Sequence, residues 1–476
     1  MRMKMIKRRS SFVTVIDNTW KGAIGFTVFI ILELFENGVS SNLKYVVLVL
    51  ALVIAPILFL LQFIRWRITY FIYDGDTVTL EKAGIFKKKL TIPVDKISTV
   101  DIKKNILGHL TGTSRVKVDS GGKQMGNDNS GAEINLIFDD EFARQIKAYI
   151  FKEEVEVHTK GFRMSGMELF IDGLLRRKLI YAIPFFFSIY VLATAVLNEK
   201  TVDSITSKAL TYIKSLEFFV ILILAVIFII ITNITSIVKE LIKYHNFTLQ
   251  KQRDVIATSF GLFTTQNYSL PIEKIRAVIL RQNTLFRLLG YWSISVVCIG
   301  LGDEKNEKPV IFPLANKERL KSILSMIDPA IVVDDPIHKV PKRGRVFYYL
   351  PLVVYLILVL IIFAVTSIIF EVKTIYFVAP ALVLPLLLVV AFLSLKNAGL
   401  LYNENYVTVT NGIFTKTTTI VPVRHVQSVG MREAFYKRKK NLCNLHLKFY
   451  PGFTNPSLSS FDKVHFAAIA EMLEKG

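Results

Sequence analysis

Side chains able to hold a proton, a metal or a covalent intermediate are present in this chain, but they form no pattern that does chemistry. The seven histidines are His109, His158, His245, His338, His425, His446 and His465, and none pairs with another at metal-ligand spacing. No HExxH, GxSxG or GxxxxGK[ST] run occurs. Cys298 and Cys443 are lone thiols on strand-like patterns and read as small core residues. Two cysteines cannot make a disulfide framework. Gly121-Gly122 and Gly126–Gly131 read as a hairpin loop with no helix behind it to hold a phosphate. The expectation is no catalytic centre, no metal and no cofactor, hence a protein that is not an enzyme.

Positive charge is what the sequence concentrates. Lys87, Lys88 and Lys89 are consecutive, and Lys103-Lys104 follow. Near the C-terminus Phe435 and Tyr436 precede Lys437, Arg438, Lys439 and Lys440. A Lys or Arg beside an anionic leaflet contributes ~1 kcal/mol, fading over about a Debye length. These residues are therefore candidate contacts for anionic lipids. The competing reading is an ordinary solvated face. Nucleic acid is not expected as a partner, because the basic and aromatic residues do not pattern as an RNA-binding sheet.

The elements that position these residues begin with membrane spans. The chain has 476 residues, 52% of them hydrophobic and only 20% charged. A soluble domain carries about a quarter charged residues. The apolar residues gather in runs near the ~20 residues that cross a bilayer: Tyr45–Ile64, Leu179–Leu197, Phe218–Val238, Val346–Phe370 and Thr374–Leu395, with Trp20–Phe35 as a weaker sixth. Six spans make three helical hairpins. Arg2, Lys4, Lys7, Arg8 and Arg9 precede the first, Arg176, Arg177 and Lys178 the second, and Lys342, Arg343 and Arg345 the third. The tips Glu36–Lys44, Asn198–Glu217 and Glu371–Lys373 carry few or balanced charges. The positive-inside rule then places both termini and the long segments in the cytoplasm of a cell-membrane protein. Net charge of +21 follows from the same bias. Two polar residues fall within the apolar runs. Glu33 is a candidate ion or proton ligand, with a place at the outer interface as the favoured reading. Asn233 is suited to hydrogen bonding between helices.

After each hairpin one pattern returns. It begins Gly84-Ile-Phe, Gly261-Leu-Phe and Gly412-Ile-Phe. It continues with Pro93, Ile97 and Val100, then Pro271, Ile275 and Val278, then Pro422, Val426 and Val429. The first two copies go on with Asn105-x-Leu107-x-x-Leu110-x-Gly112 and Asn283-x-Leu285-x-x-Leu288-x-Gly290; the third departs at Ala434–Lys440. Strand-like alternation surrounds these markers, and amphipathic helices at Asp140–Phe151, Asn316–Ile327 and Asp462–Leu473 close each copy. This signature, three times repeated behind two-helix hairpins, resembles the bacterial PH-like domain membrane proteins of the YdbT type. The resemblance implies a membrane α plus cytoplasmic α+β architecture. Each transmembrane hairpin is followed by a PH-like bent-sheet domain capped by a C-terminal helix. The segments are 1–66 for the tail and first hairpin, 67–156 for the first domain, 157–243 for the second hairpin, 244–331 for the second domain, 332–397 for the third hairpin and 398–476 for the third domain.

Two function classes remain open. One is a scaffold whose three domains bind partner proteins, anionic lipids or each other, with a partner membrane protein or self-association expected. The other is a transporter or export component with the bundle as path and the domains as gate. The spans lack a central charge, which favours the scaffold. Tolerance of an antimicrobial or of envelope stress fits either class. The orientation gives a direct test: a cysteine placed near residue 207 reacts with an impermeant thiol reagent in intact cells, and one near residue 128 does not.

Overall fold

The computed structural model describes residues 5–19, 56–83, 87–120, 134–151, 161–176, 230–231, 234–299, 309–331, 333, 338–369, 378–450 and 456–475. The first unit contains β1 (Ile6–Arg8), β2 (Thr69–Tyr73), β3 (Thr77–Ala83), β4 (Lys87–Pro93), β5 (Thr99–Lys104), β6 (Thr113–Asp119) and β7 (Ile134–Asp139). The second repeats them as β8 (Gly161–Arg163), β9 (Thr248–Gln252), β10 (Val255–Phe260), β11 (Thr265–Pro271), β12 (Ile275–Gln282), β13 (Trp292–Cys298) and β14 (Val310–Ala315). The third has β15 (His338–Lys339), β16 (Gly399–Tyr402), β17 (Tyr406–Asn411), β18 (Lys416–Pro422), β19 (Ser428–Arg432), β20 (Leu442–Lys448) and β21 (Ser457–Asp462).

Local chemistry sets the strand ends. Gly261 and Gly412 have φ of +117° and +111°, and a Cβ there would lie 2.0 Å from the carbonyl oxygen of Thr264 or Thr415. Only glycine fits these tight turns. Pro93, Pro271 and Pro422 are the last residues of β4, β11 and β18, and each starts a short 3-10 turn. A proline cannot donate to a ladder, so the first sheet stops there and the chain swings into the second. Asn105 and Asn283 cap the short helices Ile106–Thr111 and Thr284–Leu289 by accepting from the amides of Gly108 and Phe286. Gly112 and Gly290 end those helices with φ near the left-handed values. The third copy keeps the same shape with different residues. Ala434 begins the helix Phe435–Arg438 without a side-chain cap. Asn441, with φ of 53°, stands where the other copies have glycine.

Each unit's opening strand lies far ahead of the rest of its sheet in the sequence. β1, β8 and β15 pair antiparallel with β2, β9 and β16, putting Ile6 opposite Tyr73, Gly161 opposite Gln250 and His338 opposite Leu400. The chain leaves the sheet after this strand and returns beside it, some sixty residues later in the first and third units and some eighty-five in the second. Sequence segments beginning at 67, 244 and 398 assign that strand to the membrane part.

The sheets do not stop at unit boundaries. β5 pairs with β11, giving a seven-stranded sheet in the order β7-β6-β5-β11-β10-β9-β8. β12 pairs with β18, giving β14-β13-β12-β18-β17-β16-β15. The second sheet of one unit thus runs into the first sheet of the next. A four-stranded sheet β1-β2-β3-β4 and a three-stranded sheet β19-β20-β21 are left at the two ends. Ile97, Val100, Ile275 and Val278 are buried as the pattern requires. Val426 and Val429 are only half-buried, and among the described residues no strand pairs with the outer side of β19. The closing helices Asp140–Phe151, Lys317–Ile327 and Lys463–Lys475 lie over the second sheets, burying residues such as Phe142, Ile146, Leu320, Ile323 and Ile469.

The third hairpin is described as two helices in contact, Lys342–Ile369 and Val378–Asn397. The stretch Lys342–Val365, of mean hydropathy 2.7, is long and apolar enough to cross a membrane. It is the one such helix among the described residues. Trp20–Phe35 and Leu179–Leu197 lie outside the described residues, as do the three tips, Glu33 and Asn233. Tyr45–Ile64 and Phe218–Val238 are described only toward their ends, where 56–67 and 234–243 are helical.

Charged latches tie the helical segments that follow β1 and β8 to the sheets. Ser165 caps the helix Gly166–Leu175 in a capping box with Glu168. Asp172 on that helix is fully buried and is held by Arg176 Nε at 2.8 Å. The same guanidinium donates to Ser293 Oγ at 3.3 Å and to the Pro313 carbonyl at 2.9 Å. In the first unit Asp17 pairs with Arg115, which projects from β6. Ser293 is Arg115's counterpart in β13, so both units place a guanidinium at this point but supply it from different elements. Removing one partner of a buried ion pair strands the other. Asp172→Ala is expected to lower stability by about 3–5 kcal/mol, read as a lower Tm of the purified protein, and Asp172→Asn by less.

Candidate interaction surface

The membrane-proximal end of the sheets is fixed by where the hairpin helices meet them. The Leu262 amide donates to the Ile242 carbonyl at 3.0 Å, and the Gly261 amide to that of His245 at 2.9 Å. Asn397, at the end of the last hairpin helix, donates through Nδ2 to the carbonyls of Gly412 and Ile413. The glycine turns therefore sit against the ends of the helices. The short helices of the preceding unit reach the same place. Arg287 donates to Asn397 Oδ1 at 2.7 Å, Thr284 Oγ1 to the Phe414 carbonyl at 3.3 Å, and His109 Nε2 lies 3.3 Å from Thr265 Oγ1.

This rim holds large apolar side chains out of the core. Leu110 is 79% exposed, Leu288 77% and Phe435 79%. Phe263 and Phe414, at the tips of the glycine turns, are also exposed. A soluble surface rarely gathers such side chains, whereas the head-group region of a bilayer accommodates apolar bodies with polar flanks. Sequence reasoning took Gly-[Ile/Leu]-Phe and Asn-x-Leu…Gly as markers of the repeat. It missed that the same motifs carry the exposed rim. The available signal was a bulky apolar residue at each turn, where polar residues are usual.

The basic candidates divide. Arg438, Lys439 and Lys440 are exposed beside Phe435 and Tyr436. Tyr436 lies 5.2 Å from the Phe347 ring at the start of the long apolar helix, and the Lys440 ammonium 5.4 Å from the same ring. Lys437 corrects the expectation that the whole cluster faces lipid. It is 5% exposed and donates to Asn444 Oδ1 at 2.8 Å and Ser459 Oγ at 3.0 Å. Burial pushes its ammonium below the ordinary value. Lys87, Lys88 and Lys89 project from β4, the open edge of the first sheet, with Lys87 held by Glu81 at 2.7 Å.

Other titratable groups sit in the joints and cores. His425 lies in the 3-10 turn that follows β18. Burial, then Arg276 of the second unit and Arg424, push it down to about 4. Burial raises Cys298 to about 12 and Cys443 to about 11, so both are inert thiols in the core. The His338 and His465 rings meet with centroids 4.8 Å apart and their planes tilted, with Tyr402 OH 3.1 Å from His465 Nδ1. Their separation along the chain hides that meeting from any spacing argument.

Repeated bent antiparallel sheets, each closed by a helix and joined to apolar helices, define a membrane protein built from PH-like units. Comparison with known families agrees: the Bacterial PH domain model matches residues 27–154, 204–330 and 346–475, and the chain belongs to that family. The chain is 23% identical over 409 residues to the UPF0699 transmembrane protein YdbT of Bacillus subtilis (strain 168), covering 80% of this chain and 79% of that protein. No solved structure matches. The rim makes a measurable claim. An environment-sensitive fluorophore on Phe414→Cys or Phe435→Cys is expected to be quenched strongly by brominated lipids in reconstituted vesicles. The same label on Glu404→Cys, in the turn at the far end of β17, is expected to stay bright.

Proposed function

We propose that this protein is a membrane scaffold, not an enzyme, whose cytoplasmic PH-like units form one platform beneath six membrane spans. The observation that carries this reading is the pair of joints, β5 with β11 and β12 with β18. Units built to gate a path must move against one another. Breaking either joint would expose a ladder of backbone donors and acceptors together with buried side chains such as Val100, Val278 and Leu280. Burial of one such aliphatic side chain is worth ~1.5–3 kcal/mol, so repeated opening is costly. The platform's rim engages the leaflet through Leu110, Leu288, Phe414 and Phe435, with Arg438, Lys439 and Lys440 beside anionic head groups. Its outer surfaces remain for partner proteins.

Motion separates this reading from the transporter. Asp76 and Glu404 are exposed turn residues on the first and third units. The native cysteines are buried, so dyes can be placed at Asp76→Cys and Glu404→Cys alone. Single-molecule energy transfer in nanodiscs is expected to give one narrow distance distribution. Two exchanging populations would favour the gated bundle.

A further inference from the structure

Of the six strand edges of the kind that make the internal joints, β4, β5, β11, β12, β18 and β19, two are left over among the described residues, and they are unlike. The two joints share one register. The residue two before the marker proline stands opposite the last valine of the marker: Ser269 opposite Val100, and Ile420 opposite Val278. The joining strands β11 and β18 read Thr-Gln-Asn-Tyr-Ser-Leu-Pro and Lys-Thr-Thr-Thr-Ile-Val-Pro, with one charge between them. Across the joints Ile102 and Leu280 are buried at 5% and 1%.

At the far end of the molecule β19 is the counterpart of β5 and β12, and no strand pairs with its outer side among the described residues. Met431, the counterpart of Ile102 and Leu280, is 40% exposed, and Gly430 beside it leaves the backbone bare. At the near end β4 is the counterpart of β11 and β18, and it too is an open edge. There three of the five positions that pair with a partner in the internal joints are Lys87, Lys88 and Lys89, all exposed. Lysines along an edge discourage pairing. In the shared register a second copy's β4 would set Lys88 opposite Arg432 and Lys89 opposite Met431. Only Lys87, opposite Glu433, would gain an opposite charge, and each of these two is already paired, with Glu81 and with Lys463. Like charges directly opposite destabilise a ladder.

We propose that β19 is an accepting edge for a PH-like unit of a different membrane chain, one whose first-sheet edge strand is uncharged, rich in hydroxyl and amide side chains and ended by proline, and that the lysines of β4 keep copies of this chain from occupying it. The partner's residue two before its proline pairs with Val429, and its strand covers Met431. Because the internal joints bring together units that both carry membrane hairpins, the partner is also held at the membrane. The inference rests on the scaffold reading but fails separately from it.

The test gives β4 the residues of an accepted strand. Two tagged full-length chains are co-expressed, one carrying Met431→Cys and the other Lys87→Thr, Lys88→Gln and Lys89→Cys. Position 89 faces Met431 in the shared register. Oxidation in membranes is expected to join the two chains, and several-fold less when Lys87 and Lys88 are retained beside Lys89→Cys. Thr91→Cys, two residues out of register, is expected to join poorly. Equal joining with the lysines retained would make a second copy the occupant and overturn the proposal. Absence of joining in the lysine-free chain would show that β19 does not accept such a strand, and would also overturn it. A Lys103→Cys, Gln266→Cys pair across the first internal joint reports in each chain that the platform is folded. Failure of that bond alone would count against the scaffold reading, not against the accepting edge.

Discussion

A β-strand with one unpaired side must have its backbone groups satisfied, and the architecture of this protein follows from how that requirement is met. A PH-like unit of two bent sheets offers an edge at the end of its first sheet and another at the start of its second. Here the second sheet of one unit is completed by the first sheet of the next, through β5 with β11 and β12 with β18. The cores follow the backbone. Tyr406 and Ile420 of the third unit belong to the hydrophobic cluster of the second, and Ala277, Ile279 and Val297 of the second belong to that of the third. What repeats along the chain is therefore not three beads on a membrane. It is a run of sheets whose boundaries fall inside the repeats.

The hairpins reinforce this arrangement. The helical segment over 56–67 ends two residues before β2 begins, and Asn397 lies two residues before β16. Tethers this short keep neighbouring units at high effective concentration, so the joints need little intrinsic affinity to stay made. The latches do the complementary task on the entering strand. Trp66 Nε1 donates to the Ser10 carbonyl at 2.7 Å, tying the start of the first unit to the helix that returns from its hairpin. Asp17 and Asp172 then fix the helices that lead away from the sheets. These contacts lie where the described helices meet the sheets, while turns such as Asn403–Tyr406 lie at the other end of their strands.

Much of this was legible in the sequence. The glycine turn, the marker proline and the closing helix each have a local cause, and each stands where its residues put it. Local signals failed where the cause is distant. Nothing in Ser-Thr-Val or in Thr-Gln-Asn-Tyr announces that β5 and β11 are neighbours, because edge pairing depends on backbone placement and not on side-chain pattern. The opening strands are only two or three residues long, too short for alternation to register. Lys437 looked like its basic neighbours because charge is visible in a sequence while the direction of a side chain is not. His338 and His465 meet only through folding. Leu110, Leu288, Phe263 and Phe414 of the rim were legible only as parts of the repeat, since exposure cannot be seen from spacing alone.

The third unit shows what the joint demands of its residues. Its short helix lacks the asparagine cap of the other two, a loss worth ~1 kcal/mol. Lys437 offsets it by turning inward to bond Asn444 and Ser459, and Ser459 also donates to Asn444. Asn441 supplies the left-handed residue that glycine supplies elsewhere, at some steric cost that a short polar side chain tolerates best. The fold is thus kept while the surface changes from Asn-x-Leu to Phe-Tyr-Lys-Arg-Lys-Lys. In the first two units the equivalent helix packs against the next unit's turn, through His109 with Thr265 and Thr284 with Phe414. Among the described residues no turn packs on the third helix in this way. Its surface carries the exposed aromatic and basic side chains Phe435, Tyr436, Arg438, Lys439 and Lys440, and the strand beside it has an open edge among the described residues.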